Sequence, residues 1–477
     1  MHRGVSTVPT ECSRNQLAFQ DFGSRRVEAA FDGGRQTSDA GLLLLREVAE
    51  RTGLLRRFAE GFTDHRRADR IEHTVEELVS QRVLGQALGY EDLNDHDTLR
   101  DDALLALASG KRDLTGAGRS RDRDRGHALA GRSTLNRLER TPAEATGRYH
   151  KIVYDGEGMR RLFVDHFLDS HAAPPPRIIL DLDATDDPLH GQQEGRFFHG
   201  YYGHYCYLPL YIFCGEFLLW AELRRSDIDA SAGSVEALQE IVRRIRTRWP
   251  QVEIWIRADS GFARDAIMAF CEENGVEYVL GLARNKRLVR AIGAELEAVR
   301  QEARQTEGRA RRFRNLRYRT RKSWCRERRV VAKAEQLGDK SNPRFVVTSL
   351  APEVFAAQEL YEKLYCARGD MENRIKEQQL GMFADRTSTA TMRANQLRLW
   401  IASLAYTLVQ ALRRWGLQGT SLAKAQVGTI RLRLLKLSGL VRISVRRVRI
   451  ALSSSYPLQD LFARVLSNLQ RIPHASG

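Results

Sequence analysis

Three consecutive prolines, Pro174, Pro175 and Pro176, stand directly before the apolar run Ile178-Ile179-Leu180, and this junction constrains the chain more than any other stretch. A proline run is a stiff boundary, and the residues after it must start a new element. Residues 177–184 read as a buried strand that carries Asp181 and Asp183 towards its C-terminal end. Alternation puts both aspartates on one face. Carboxylates in that position either coordinate a hard cation or face solvent, and the segment alone leaves both readings open.

The next hundred residues keep the period of a sheet. Residues 205–214 and 217–224 read as two strands joined by the Gly215-Glu216 turn, followed by an amphipathic helix over 231–249 that ends at Pro250. Residues 252–258 alternate again and deliver Asp259 at their end, and a helix over 263–274, stopped by Gly275, leads to a strand over 276–282. Strand-helix-strand units of this length imply parallel crossovers. The expected fold class is therefore α/β, with a mixed five-stranded sheet. Asp183 and Asp259 both leave strand C-termini, the edge at which open α/β sheets place their active sites.

Before the prolines the pattern is helical. Residues 17–36 suggest a hairpin or extended arm, Ser38-Asp39 opens a helix that stops at Gly53, a second helix covers 74–89, and a charged glycine-rich loop over 116–131 precedes a short helix at Ser133. The division expected is an N-terminal helical DNA-binding or dimerisation domain over 1–150, a catalytic domain over 151–286 and 351–416, a β-rich basic insertion over 287–350, and a basic C-terminal region over 417–477. A long apolar helix over 388–416 should pack on the sheet, and 430–450 should form a cationic β-hairpin.

Charge identifies the class of partner. Lys and Arg number 76 against 60 Asp and Glu, a net charge of +16, which suits a polyanion. Residues 301–333 concentrate it, with thirteen Lys and Arg against three Glu and with Phe313, Tyr318 and Trp324 interleaved. On strands that makeup matches a nucleic-acid platform, with Arg319, Arg328 and Arg329 on phosphates, and it also matches a solvated hairpin around one core tryptophan. Trp324 accordingly has two readings, a core ring or the holder of a flipped base.

Several classes are excluded or disfavoured. The six cysteines contain no CxxC pair, and His190, His199, His204 and Cys206 match no familiar zinc spacing. No HExxH, GxSxG or GxxxxGK[ST] occurs, so no nucleotide cofactor is expected. No run approaches the ~18 apolar residues of a membrane span and the N-terminal stretch has no apolar core, so a cytoplasmic protein, nucleoid-associated in a bacterium, is expected.

The last motif lies in a helix expected over 353–380, where Tyr365, Arg368, Glu372 and Lys376 fall at spacings of three, four and four on one face. Ordinary surface ion pairs, Asp370 with Arg374 and Glu372 with Lys376, would look the same. Aspartates ending the first and fourth strands, with a glutamate on a helix beyond a β insertion, resemble the ribonuclease-H-like catalytic domain of DDE transposases. The branch is the one with a tyrosine-arginine-glutamate signature, and the chain is most similar to the bacterial insertion-sequence family numbered 1380. Its marks are Thr37-Ser38-Asp39-Ala40-Gly41-Leu42, Gly89-Tyr90-Glu91-Asp92, Asp183-Ala184-Thr185 and the run from Tyr365 to Asn373.

The resemblance implies that Asp183, Asp259 and Glu372 are a catalytic triad holding Mg²⁺ or Mn²⁺, and that Tyr365, Arg368 and Lys376 are signature residues near the DNA. Asp183 is preferred to Asp181 because Ala184-Thr185 follows it. The broader branch carries a lysine seven residues after the glutamate, where this chain has Gln379, and Lys376 is the expected substitute. Two ions about 4 Å apart are the established means of activating one oxygen and stabilising another in phosphodiester chemistry. The implied activity is cut-and-paste transposition at terminal inverted repeats into target DNA, by at least a homodimer. The alternatives are a stand-alone metal-dependent nuclease and a non-catalytic DNA-binding protein.

Overall fold

The computed structural model describes residues 16–306 and 308–473. Eight strands dominate it: β1 (Arg177–Ala184), β2 (Leu210–Cys214), β3 (Phe217–Glu222), β4 (Glu253–Ala258), β5 (Glu277–Leu282), β6 (Arg309–Tyr318), β7 (Arg328–Leu337) and β8 (Arg344–Thr348). With the two-residue strand Lys340–Ser341 they make a nine-stranded sheet in the order β3-β2-β1-β4-β5-β8-β7-β6. β1 pairs in parallel with β4 and β4 with β5, while the remaining neighbours are antiparallel. Nine strands correct the expected five. Segment 287–350 does not stand apart from the sheet, because the apolar pairs Val331 with Val346 and Leu280 with Val347 continue it past β5.

Alternation along β1 divides its side chains between two faces. Ile178, Leu180 and Leu182 join Ile254, Ile256 and Leu238 in a core beneath helices α2 (Gly156–Asp169) and α3 (Ser234–Arg248). Losing one such leucine to alanine typically costs about 2–5 kcal/mol. Asp181 and Asp183 share the opposite face with Ile179, and that face is covered by a helical run over 357–381. The run is the helix expected over 353–380, but it is not uniform. Widened π-helical turns at Leu360–Tyr365 and Glu377–Gly381 flank a short α4 (Gly369–Lys376).

Other boundaries moved for identifiable reasons. The strand expected over 205–214 breaks at Leu208-Pro209, since proline offers no amide to a ladder. Its first half, His204–Tyr207, pairs instead with Asp187–Pro188 and Phe197–His199 in a small separate sheet. Residues 431–435 are helical, so the expected C-terminal hairpin is confined to Gly439–Ile443 and Val448–Leu452. The N-terminal hairpin is present as Gln16–Phe22 paired with Arg25–Ala30.

The helices before residue 150 bury their apolar faces on elements from the far end of the chain. α1 (Val75–Leu88), opened by a Thr74–Glu77 capping box, is buried nearly all round. It packs against α5 (Met392–Ala411), and Leu84, Leu404, Leu434 and Leu469 belong to one core. Glu139, fully buried, accepts from Arg82 and Arg398 at 2.6 Å each and so ties α1 and α5 together. The Thr37–Leu42 and Gly89–Asp92 marks meet in space: Tyr90 Oη donates to Asp39 at 2.8 Å, and Lys436 pairs with Asp39 at 2.7 Å. Gly41 lies against the backbone of Leu434 and Leu435, where an added Cβ would stand 2.1 Å from the Leu434 carbonyl. No helix among the described residues is long and apolar enough to cross a membrane.

Candidate active site

β1 ends by giving its two aspartates different partners. Asp181, buried, lies directly across from Arg257 of β4 and takes its Nε at 2.5 Å and its Nη2 at 2.8 Å. The third donor, Arg257 Nη1, reaches the Leu364 carbonyl at 2.7 Å. Asp181 is thus committed to holding the helical run on the sheet. Asp183, one pleat further on, has no such strand partner and stands at the rim with Oδ1 accepting the Ala184 amide at 2.9 Å.

Asp259 leaves the end of β4, where its Oδ1 caps the short Ser260–Phe262 turn through the Gly261 amide at 2.8 Å. Glu372 comes from the first turn of α4, whose buried Met371 and Ile375 fix which face points at the sheet. Arg368 joins the pieces: its Nη1 lies 3.3 Å from Asp183 Oδ2, and its Nη2 donates to Glu372. The structure therefore brings together Asp183, Arg368 and Glu372, with Asp259 close enough to act on the charge of both Asp183 and Arg368. Burial, opposed by Arg368 and aided by the Asp259 and Glu372 charges, raises the Asp183 carboxyl to about 7.

Tyr365 completes the group. Its ring packs on Tyr361, and its hydroxyl rests over Gly281 beside the Asp259 backbone, so that a Cβ at Gly281 would stand 2.5 Å from Tyr365 Oη and 2.9 Å from the Ser260 amide. Lys376 is exposed and faces a neighbouring cleft of about 600 Å³, shared with Arg374, Arg413 and Lys424. Gln379, at the place where a lysine was expected, donates to the Asp186 carbonyl at 3.0 Å and secures the turn after β1.

The other residues singled out in the sequence lie elsewhere. Trp324 is 4% exposed and packs edge-on against Tyr318, which puts it in the core rather than at a DNA surface. Arg328 is buried between Asp265 at 2.6 Å and Glu272 at 2.8 Å. Arg329 is buried on the Leu350 and Phe355 carbonyls at 2.7 and 2.8 Å, so both guanidinium groups are committed to the protein. Arg319 remains exposed while donating to the Trp324 carbonyl at 3.1 Å. Among the four groups weighed for zinc, His204 pairs with Asp186 at 2.8 Å and Cys206 is buried.

Three carboxylates without imidazole or thiolate are the donor set of a hard dication. Among the described residues no group of three or more His, Cys, Asp or Glu is drawn together closely enough to hold a metal ion. Arg368 supplies the local positive charge that these acids share, and a dication meets the same chemical demand. Arg257 was missed in the sequence, because its place opposite Asp181 follows from the register of β1 and β4. A family model described as transposase DDE domain group 1 matches residues 19–474. No curated protein matches the chain.

Proposed function

The chain belongs to the transposase DDE domain family, and from that premise we propose that Asp183, Asp259 and Glu372 bind Mg²⁺ or Mn²⁺ and carry out DNA cleavage and strand transfer. The observation that carries this reading is the Arg368 bridge, which joins Asp183 to Glu372 although Arg368 and Asp183 are 185 positions apart in the chain. Asp183 from a strand end and Glu372 from a helix share Arg368, and Asp259 from a second strand end acts through its charge on both Asp183 and Arg368. The strand order β3-β2-β1-β4-β5, with β1, β4 and β5 parallel, supports a ribonuclease-H-like reading of this part of the sheet.

Bound to these carboxylates, two such ions would activate a water or 3′-hydroxyl and stabilise the leaving oxygen. The protein side of the reaction follows from the residues. Arg368, which pairs with Asp183 and Glu372, is placed to hold a phosphate beside them, and its planar guanidinium offers two parallel donors for it. Exposed Lys376 and its cationic neighbour Lys424 extend that grip along the backbone. Arg257 and Asp181 keep the helical run seated so that Glu372 faces Asp183.

The substrate in this reading is the terminal inverted repeat of an insertion sequence, cut and pasted into target DNA by a homodimer. Incubating the protein with Mg²⁺, labelled terminal-repeat duplex and a supercoiled plasmid tests it. Labelled DNA joined to the plasmid is the expected product. Cutting without joining would leave a nuclease, and binding without cutting a DNA-binding protein.

A further inference from the structure

Between β1 and β2 the small sheet projects a hairpin, Phe197–His199 paired with His204–Tyr207, whose tip is Gly200-Tyr201-Tyr202-Gly203. Its base is firmly held. Tyr207 and Cys206 are fully buried, Ser226 Oγ donates to the Phe197 carbonyl at 3.0 Å, and the Glu194 carboxylate accepts the Met392 amide at the start of α5 at 3.0 Å.

Its outer face is the opposite. Tyr201 is 86% exposed, Phe198 58% and Tyr205 44%. Phe198 and Tyr205 are a directly opposed cross-strand pair with ring centroids 5.6 Å apart, and Tyr201 leans on Tyr202 at 5.0 Å. Three large rings left in water on one hairpin are unusual for a surface without a partner. Their exposure means that folding gains little from them.

Location and charge specify the partner. The hairpin follows the turn after β1, and His204 holds it to that turn through Asp186, three residues beyond Asp183. The Arg196 guanidinium lies over the Tyr205 ring at 4.4 Å, and Arg225, itself paired with Asp227, lies over Phe197 at 4.5 Å. Arg196 on the Tyr205 ring sets a cation beside exposed rings, the makeup of a surface that stacks unpaired bases and not the row of cations that tracks duplex phosphates, and the tie through Asp186 to the turn after Asp183 sets it beside the strand such a site would hold.

We propose that Phe198, Tyr201 and Tyr205 form a stacking platform for an unpaired nucleotide of the DNA strand held beside Asp183. The role rests on the reading of the site as a DNA-cleaving centre, and it takes the place that Trp324, being buried, does not fill. Distorting a strand end exposes a base, and a ring on which to stack recovers part of the lost stacking.

The test compares binding of an oligothymidylate single strand and of a duplex of equal length by the full chain and its variants. Stacking of one base corresponds to roughly 5- to 150-fold in affinity. Tyr201→Ala and the double variant F198A/Y205A should lose single-strand affinity in that range and keep duplex affinity, while Tyr201→Phe keeps both. Tyr201 packs on little but Tyr202, so its variant retains the wild-type circular dichroism and provides a folded comparison. Unchanged single-strand binding in both alanine variants overturns the proposal, as does a loss of self-association with single-strand affinity intact. Metal-dependent cutting of terminal-repeat DNA by the wild type is measured in parallel. If the wild type never cuts but the variants still lose single-strand binding, the cleavage reading fails and the platform stands.

Discussion

Gly281 has no side chain, and the space left by that absence is occupied by the Tyr365 hydroxyl on one side and the Ser260 amide on the other. Neither neighbour can withdraw freely, since Ser260 follows Asp259 in the chain and Tyr365 leads into the turn bearing Arg368. Gly281→Ala should therefore displace Asp259 relative to Glu372 and slow metal-dependent cleavage by roughly 100-fold, the usual effect of an ångström-scale misplacement. Cleavage kinetics of the folded variant check this, and a rate within a few-fold of wild type would contradict it. At this scale the sequence was informative about Asp183, because the pleat and the strand end are visible in the alternation of residues 178–184. It named Asp181 without its role and missed Arg257, since a cross-strand ion pair depends on a register that only the assembled sheet provides.

The helical run over 357–381 is the element that turns separate residues into a site. A π-helical turn widens the backbone ring and loosens its own hydrogen bonds, and Arg257 reaches the Leu364 carbonyl inside such a turn. The ion pair on β1 and β4 thereby anchors the run that bears Arg368 and Glu372. Arg257→Met leaves Asp181 buried without its partner, which should cost about 3–5 kcal/mol, whereas the double change R257M/D181L should cost less. Urea unfolding of both variants checks the pair; a single-variant loss below about 1 kcal/mol would contradict it. The spacing of Tyr365, Arg368 and Glu372 was legible because one helical face repeats every three or four residues, whereas Lys376, expected on that face, opens on a neighbouring cleft. The π turns were not, because they add a residue per turn without changing composition. Trp324 and Arg328 were read from charge and aromatic content alone, and burial against Tyr318, Asp265 and Glu272 is a property of packing that composition does not encode.

Across the whole molecule, the N-terminal helices, the sheet face around Tyr211 and the C-terminal helix Gln459–Gln470 share one core. Periodicity identifies each helix but not its partner, so the contact of α1 with α5 was invisible before the fold was seen. The N-terminal helices also bury two histidines, His73 and His96. Burial, aided by Arg82, lowers His96 to about 3, and burial with Lys111 and Arg119 lowers His73 to about 3. An unfolded histidine titrates near 6.5, so the stability these groups support is whole above about pH 6.5 and is lost as pH falls towards 3. The urea midpoint should drop steadily over that window, and His96→Gln should flatten the slope; identical slopes would refute the assignment. The central claim concerns the three acids. It is tested most directly by measuring Mg²⁺-dependent cleavage and joining of labelled terminal-repeat DNA by the wild type and by Asp183→Asn, Asp259→Asn and Glu372→Gln, alongside DNA binding. The wild type should cut and join while each variant binds DNA and does neither; a variant at any of the three positions that cuts at the wild-type rate would contradict the assignment.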